Sequence, residues 1–140
     1  MIFKNQNKND VIKFDITKCG NDMRIAEHFT LNEFQSRDGY PIILIHPALI
    51  LLLENIRRHF AAPVHITSAF RTIEHNKKIG GRKDSLHLYG MAADIIVRNV
   101  SPFEVTYYAR NQLDVGGVGH YRNFTHLDVF GENRNWFYSE

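Results

Sequence analysis

The chain has 140 residues, a length that suits one domain. Hydrophobic residues make up 44% and charged residues 23%, which excludes a disordered chain and predicts an ordinary folded domain. A lone cysteine, Cys19, excludes an internal disulfide and any cysteine-built zinc site. The net charge of +2 comes from scattered basic residues, unlike the dense basic stripe of a nucleic-acid domain, so no nucleic-acid partner is expected. The longest apolar run, Ile42 to Leu53, is broken by His46 and Pro47 and is too short to cross a bilayer. Residues 1–8 show neither an apolar core nor a small-residue cleavage site, so no signal peptide is expected and the product is made in the cytoplasm. Histidine is unusually frequent at eight residues, and chemistry is sought there first.

Residues 1–25 read as an N-terminal arm or edge strand, with alternating Val11, Ile12, Phe14 and Ile16, and residues 26–140 as the functional domain. Thr30-Leu31-Asn32-Glu33 has capping-box form and predicts a short helix ending before Asp38-Gly39. His46-Pro47 opens a longer helix with Leu49, Leu52, Leu53, Ile56 and Phe60 on one face; Pro63 stops it. Val64 to Phe70 reads as a strand, Thr72 to Ile79 as a short helix ended by Gly80-Gly81, and Met91 to Val97 as a buried strand after a polar loop. Ser101-Pro102-Phe103-Glu104 starts a helix running to about Gln112. Three strands follow, Val115–Tyr121, Phe124–Phe130 and Asn135–Tyr138. This order predicts an α+β fold, with helices on one face of a small antiparallel sheet.

Three words carry the chemistry: Ser85-Leu86-His87, Gly90-Met91-Ala92-Ala93-Asp94 and Thr125-His126-Leu127-Asp128. Two ligands of one zinc ion lie within about 4 Å of each other, whereas seven residues of strand span about 23 Å. His87 and Asp94 can share an ion only if the chain reverses between them, and Gly90 is the residue suited to that turn. His126 and Asp128, two apart in a strand, point to one face. His87, Asp94 and His126 would make a three-ligand site with one open position, the layout of catalytic zinc. A carboxylate beside it could take the proton of an activated water. The bland reading of such histidines is that they are packed or solvated side chains. His28, His46, His59 and His65 are read that way, with His46 at a helix start.

Taken together, Ser68-Ala69-Phe70-Arg71, His75-Asn76, Gly80-Gly81, Ser85 to Ile95, Gly116-Gly117-Val118-Gly119-His120-Tyr121, Phe124 to Val129 and Arg134-Asn135-Trp136 occur in an order that resembles one family. It is the zinc D-Ala-D-Ala carboxypeptidase and murein endopeptidase family, of hedgehog-type fold. The resemblance covers roughly residues 26–137 and is nearest to short murein endopeptidases and phage endolysins. It implies Zn2+ as cofactor, with His87, Asp94 and His126 as ligands. It implies that Arg71 faces the substrate, where a guanidinium can bind a carboxylate or steady an oxyanion; the alternative is a carboxylate partner that ties down the next helix. Many relatives carry a glutamate shortly before the last zinc histidine, but here those positions hold Asn123 and Tyr121. Asp128 is the expected general base, with His120 the runner-up and Asp128 as a ligand the third reading. Ser85, Tyr121 and His120, with Arg71, are the expected substrate contacts; Tyr89 and Trp136 line either a groove or the core.

The resemblance thus implies a zinc metallopeptidase that cuts amide bonds in peptidoglycan stem peptides or cross-links. It leaves open whether the cut is endopeptidic or carboxypeptidic. A monomer is expected, acting on the cell wall after release by a holin or by lysis in a phage or prophage setting. The alternative is a zinc-stabilised binding or structural module of the same fold.

Overall fold

In the computed structural model, which describes residues 2–138, the N-terminal segment is woven into the body of the protein. Strand β1 (Ile2–Phe3) pairs in parallel with β6 (Asp114–Val115), and β2 (Ile12–Asp15) pairs antiparallel with β3 (Ile42–Ile45). A one-turn helix, α1 (Ile16–Cys19), follows, its first turn capped by the Asp15 carboxylate. Of the arm or edge strand expected over residues 1–25, the structure has strands, and their side chains join the core. Phe3 is fully enclosed, and Val11, Phe14 and Ile16 pack against the same core as the rest of the chain.

The Thr30 capping box forms, with the Glu33 carboxylate accepting the Thr30 backbone N–H at 2.7 Å. It opens only a 3-10 turn over Leu31–Phe34 instead of an α-helix. The turn ends at Gln35, whose backbone is extended, and the Phe34 carbonyl accepts the N–H of Phe70 at 3.2 Å. The apolar run from Ile42 is divided at His46: the first four residues form β3, and Pro47 starts α2 (Pro47–Phe60). His46 Nδ1 accepts the Ala48 N–H at 3.0 Å, a cap of the helix start. Leu49, Leu52, Leu53 and Ile56 bury one stripe of α2.

The main sheet runs in the order β4 (Val64–Ser68), β5 (Ala92–Val97), β8 (Thr125–Asp128), β7 (Gly117–His120), β9 (Arg134–Phe137). The first four strands are antiparallel neighbours; β9 adds in parallel to β7, a departure from the purely antiparallel sheet expected. Strand alternation gives the sheet two unlike faces. Ile66, Ile95, Val97, Val118 and Leu127 point into the core, where α2 and α4 (Pro102–Gln112) cover them. Asp94, His126, Asp128, Gly117, Gly119 and Trp136 share the opposite face by register. A bulge between Ile66 and Ser68 shifts β4 by one residue, so that Ser68 is directly opposite Asp94. The short helix α3 (Ile73–Lys78) leaves this corner of the sheet. Among the described residues, no helix is long and apolar enough to cross a membrane.

Because Phe3 is part of the single core, Phe3→Ala is expected to destabilise the fold by about 3–5 kcal/mol. Urea unfolding followed by circular dichroism measures it; a loss below about 1 kcal/mol would return residues 1–10 to the status of an arm.

Candidate metal centre

His87 lies in a 3-10 turn, Leu86–Tyr89, that Ser85 opens by accepting the His87 N–H on its hydroxyl at 3.2 Å. Gly90 then reverses the chain in the left-handed region, φ +70°, and a Cβ there would also collide with the Leu44 carbonyl. Both demands require glycine, and the reversal expected between His87 and Asp94 is found at this residue. Asp94 follows on the central strand β5, and β8 sets His126 directly across from it.

His87, Asp94 and His126 each offer a ligand atom, and the three atoms lie within 4.8 Å of one another. Asp94 Oδ1 is the hub, 3.3 Å from His87 Nε2 and 2.9 Å from His126 Nδ1. The second imidazole nitrogen of His87, Nδ1, lies 2.6 Å from the Ala69 carbonyl. A carbonyl can only accept, so Nδ1 carries the proton and Nε2 presents its lone pair to the hub. All three side chains are largely buried. Two imidazole nitrogens, His126 Nδ1 giving up its proton, and a carboxylate oxygen are a donor set suited to a borderline divalent cation such as zinc.

Arg71 supports the hub from its other oxygen. Its Nη2 is 3.3 Å from Asp94 Oδ2, Nε donates to Ser68 Oγ at 2.9 Å, and Nη1 donates to Asn76 Oδ1 on α3 at 3.2 Å. The arginine therefore ties the hub to the following helix, the structural alternative raised from sequence, while two of its five N–H groups remain for another partner. Gly81 makes this arrangement possible: a Cβ there would run into the Asn76 carboxamide. Ser68 and Asn76 were not singled out as site residues; the bulge that brings Ser68 round has no local sequence signature.

Two expected roles are corrected by position. Asp128 is fully buried behind His126, with Oδ2 2.9 Å from Nε2, the ring nitrogen turned away from the hub. Its Oδ1 accepts from Arg134 and from the Phe130 N–H at 3.2 Å. With both oxygens engaged on the far side of the imidazole, it does not face the hub as a general base would. His120 is on the opposite face of the sheet, paired with Thr125, and its Nδ1 lies 3.2 Å from Thr106 Oγ1 of α4. It lies away from the hub, because the tight turn between Tyr121 and Phe124 gives Gly119, not His120, as the neighbour of His126.

Tyr121 falls on the site face with Gly119, and its hydroxyl accepts from Trp136 Nε1 at 3.1 Å. It stacks between Phe124 and Tyr138, at centroid distances of 4.4 and 5.3 Å. Trp136 in turn packs against the His126 ring at 5.1 Å, so these aromatics form one wall beside the hub. Ser85 shapes the turn through its cap and is not otherwise committed. Tyr89 is half exposed under Lys8, whose ammonium is 4.2 Å from its ring centre.

The charges reinforce one another. Burial disfavours charge on both Asp94 and His126, yet the imidazole contacts hold the Asp94 carboxyl far below the usual carboxylate range. Against its own burial, His126 is pushed up to about 9 by its hydrogen bonds to Asp128 and Asp94 and by their charge. Burial lowers His87 and keeps it neutral. In the metal-free chain the charged His126 thus contributes stability that is full below the unfolded imidazole value of about 6.5 and disappears as pH rises through about 9. The lowered His87 acts only below about 6.5, where its enforced neutrality costs stability. Thermal melts of the metal-free protein are expected to show Tm falling between pH 6.5 and 9. In His126→Gln the fall should vanish; an equal slope in both proteins would remove this assignment.

Comparison with known proteins agrees with the geometry. The sequence profile of the family described as Peptidase M15 matches residues 24–128, a span that includes every member of the His87–Asp94–His126 cluster. A search of curated proteins finds no match. With more than half of the chain matched, the protein belongs to the Peptidase M15 family.

Proposed function

We propose that this chain is a zinc-dependent peptidase that hydrolyses amide bonds in the stem peptides or cross-links of bacterial peptidoglycan. The observation that carries the reading is the convergence of His87 Nε2, Asp94 Oδ1 and His126 Nδ1 on one buried point, in a chain of a peptidase family. Those three residues would hold the ion, which when bound supplies a Lewis acid and a water acidic enough to attack at neutral pH.

The protein's own side chains do the rest. Arg71 holds Asp94 through Oδ2, which leaves Oδ1 as the donor. Its two uncommitted N–H groups are suited to the oxygen of the scissile carbonyl or to a peptide carboxylate, and stem peptides carry both. The Tyr121 hydroxyl already accepts from Trp136, so its own O–H is free to donate to substrate. The wall of Trp136, Tyr121, Phe124 and Tyr138 gives the peptide an apolar side to lie against.

The reading is tested by metal analysis combined with digestion of defined muropeptides, the new termini being identified by mass spectrometry. One zinc per chain and release of amine termini are expected, with both lost in Asp94→Ala. Arg71→Lys keeps a charge beside Asp94 but removes the planar fork, so it should retain zinc and lose about a hundredfold in kcat/KM. Zinc binding with wall association but no product would instead assign a binding module; absence of zinc from a metal-replete preparation would defeat the proposal.

A further inference from the structure

We propose that Asp128 and Arg134 form a positioning brace that decides which nitrogen of His126 faces the metal, and that Gly117 is present to admit it. The inference rests on the metal-site reading above and assigns Asp128 and Arg134 to holding His126, with neither in contact with substrate.

Asp128 has no exposed surface, so its carboxylate needs full compensation from the protein. Oδ1 receives the Phe130 N–H and Arg134 Nη2; the same Nη2 also donates to the Phe130 carbonyl at 2.7 Å. The backbone of Arg134 is fixed as well, its N–H donating to the Gly116 carbonyl at 2.7 Å. The carboxylate is thereby locked in one orientation, with Oδ2 2.9 Å from His126 Nε2. An ionised carboxylate can only accept, so Nε2 must carry a proton, and a neutral His126 then has its lone pair on Nδ1, toward Asp94 Oδ1. His87 is fixed in the complementary sense by the Ala69 carbonyl, so each imidazole has its spare N–H tied to an acceptor.

The backbone opposite is cleared for this brace. A Cβ on Gly117 would collide with Asp128 Oδ2 and come within 2.9 Å of Arg134 Nη2. A Cβ on Gly119 would strike the Trp136 indole, which packs on the His126 ring. Two glycines on β7 thus leave room for the two groups that fix the imidazole from its edge and its flank.

The test is zinc affinity, measured by competition with a chromophoric chelator, together with the imidazole N–H signals of the zinc-loaded protein in 15N-edited NMR. Asp128→Asn and Arg134→Gln are expected to bind zinc about 10- to 100-fold more weakly than wild type. Their His126 Nε2–H signal should exchange with water faster. Arg134→Lys should recover most of the affinity, since both side-chain contacts use one nitrogen that an ammonium can replace. Gly117→Ala is expected to weaken binding without changing any charge, and serves as the second variant if Asp128→Asn does not fold. A purely structural brace would lower Tm and leave zinc affinity within twofold of wild type, and that result overturns the inference. A wild-type chain that fails to bind zinc would overturn the metal reading itself, a separate outcome.

Discussion

A carboxylate buried at the centre of a sheet, Asp94, sets the conditions for everything around it. It is only 7% exposed, in a region where an unpaired anion would be too costly to fold. Two imidazoles and a guanidinium meet it, one oxygen shared by the histidines and the other facing Arg71. Each of those partners is anchored in turn: His87 by Ala69, His126 by Asp128, Arg71 by Ser68 and Asn76. A metal ion taking the place of the His126 proton would find the donors already arranged, with little left to order on binding.

The sheet divides its labour by face. Toward α2 and α4 it presents aliphatic side chains in a continuous core. On the other face, the strand beside His126 and Asp128 carries glycine at Gly117 and Gly119, where larger residues would overrun Asp128 and Trp136. Glycine is a poor strand former, with no side chain to pack and more backbone freedom to lose. Its use here is explained by what occupies the vacated space. The apolar face supplies the cohesion that allows the polar face to be built for chemistry.

Much of this was legible in the residues. The reversal at Gly90 followed from comparing strand length with ligand spacing, and the common face of His126 and Asp128 followed from strand period. Membership of a peptidase family was legible in the order of the short words. What stayed hidden depended on register and on contacts distant in sequence. Whether His120 or Gly119 neighbours His126 is decided by the length of the turn after Tyr121, and one residue either way exchanges the faces. The bulge before Ser68 and the parallel pairing of β9 have no local pattern. The sequence marks Asp128 as a partner of His126, but its side of the imidazole depends on Arg134, which arrives from another strand.

The N-terminal residues show how far such long-range terms extend. The family match begins at residue 24, yet the Asn5 and Gln6 N–H groups donate to the carbonyls of Gly131 and Val129, in the segment just after Asp128. Lys8 is placed over both Phe130 and Tyr89, at 5.0 and 4.2 Å from the ring centres, and so bridges the segment after β8 to the turn that carries His87. Phe130 contributes its N–H to Asp128 and its carbonyl to Arg134. A segment outside the family match thus touches Tyr89, two residues after His87, and Phe130, whose N–H goes to the Asp128 that contacts His126. Its cation–π contacts are individually small, about 0.5–1 kcal/mol at such exposed positions, but they act where two pieces of the site distant in sequence meet. Phe3, buried beneath β6, holds the start of this strap in place. The N-terminal segment is therefore better understood as part of the frame of the candidate metal centre than as an appendage to it.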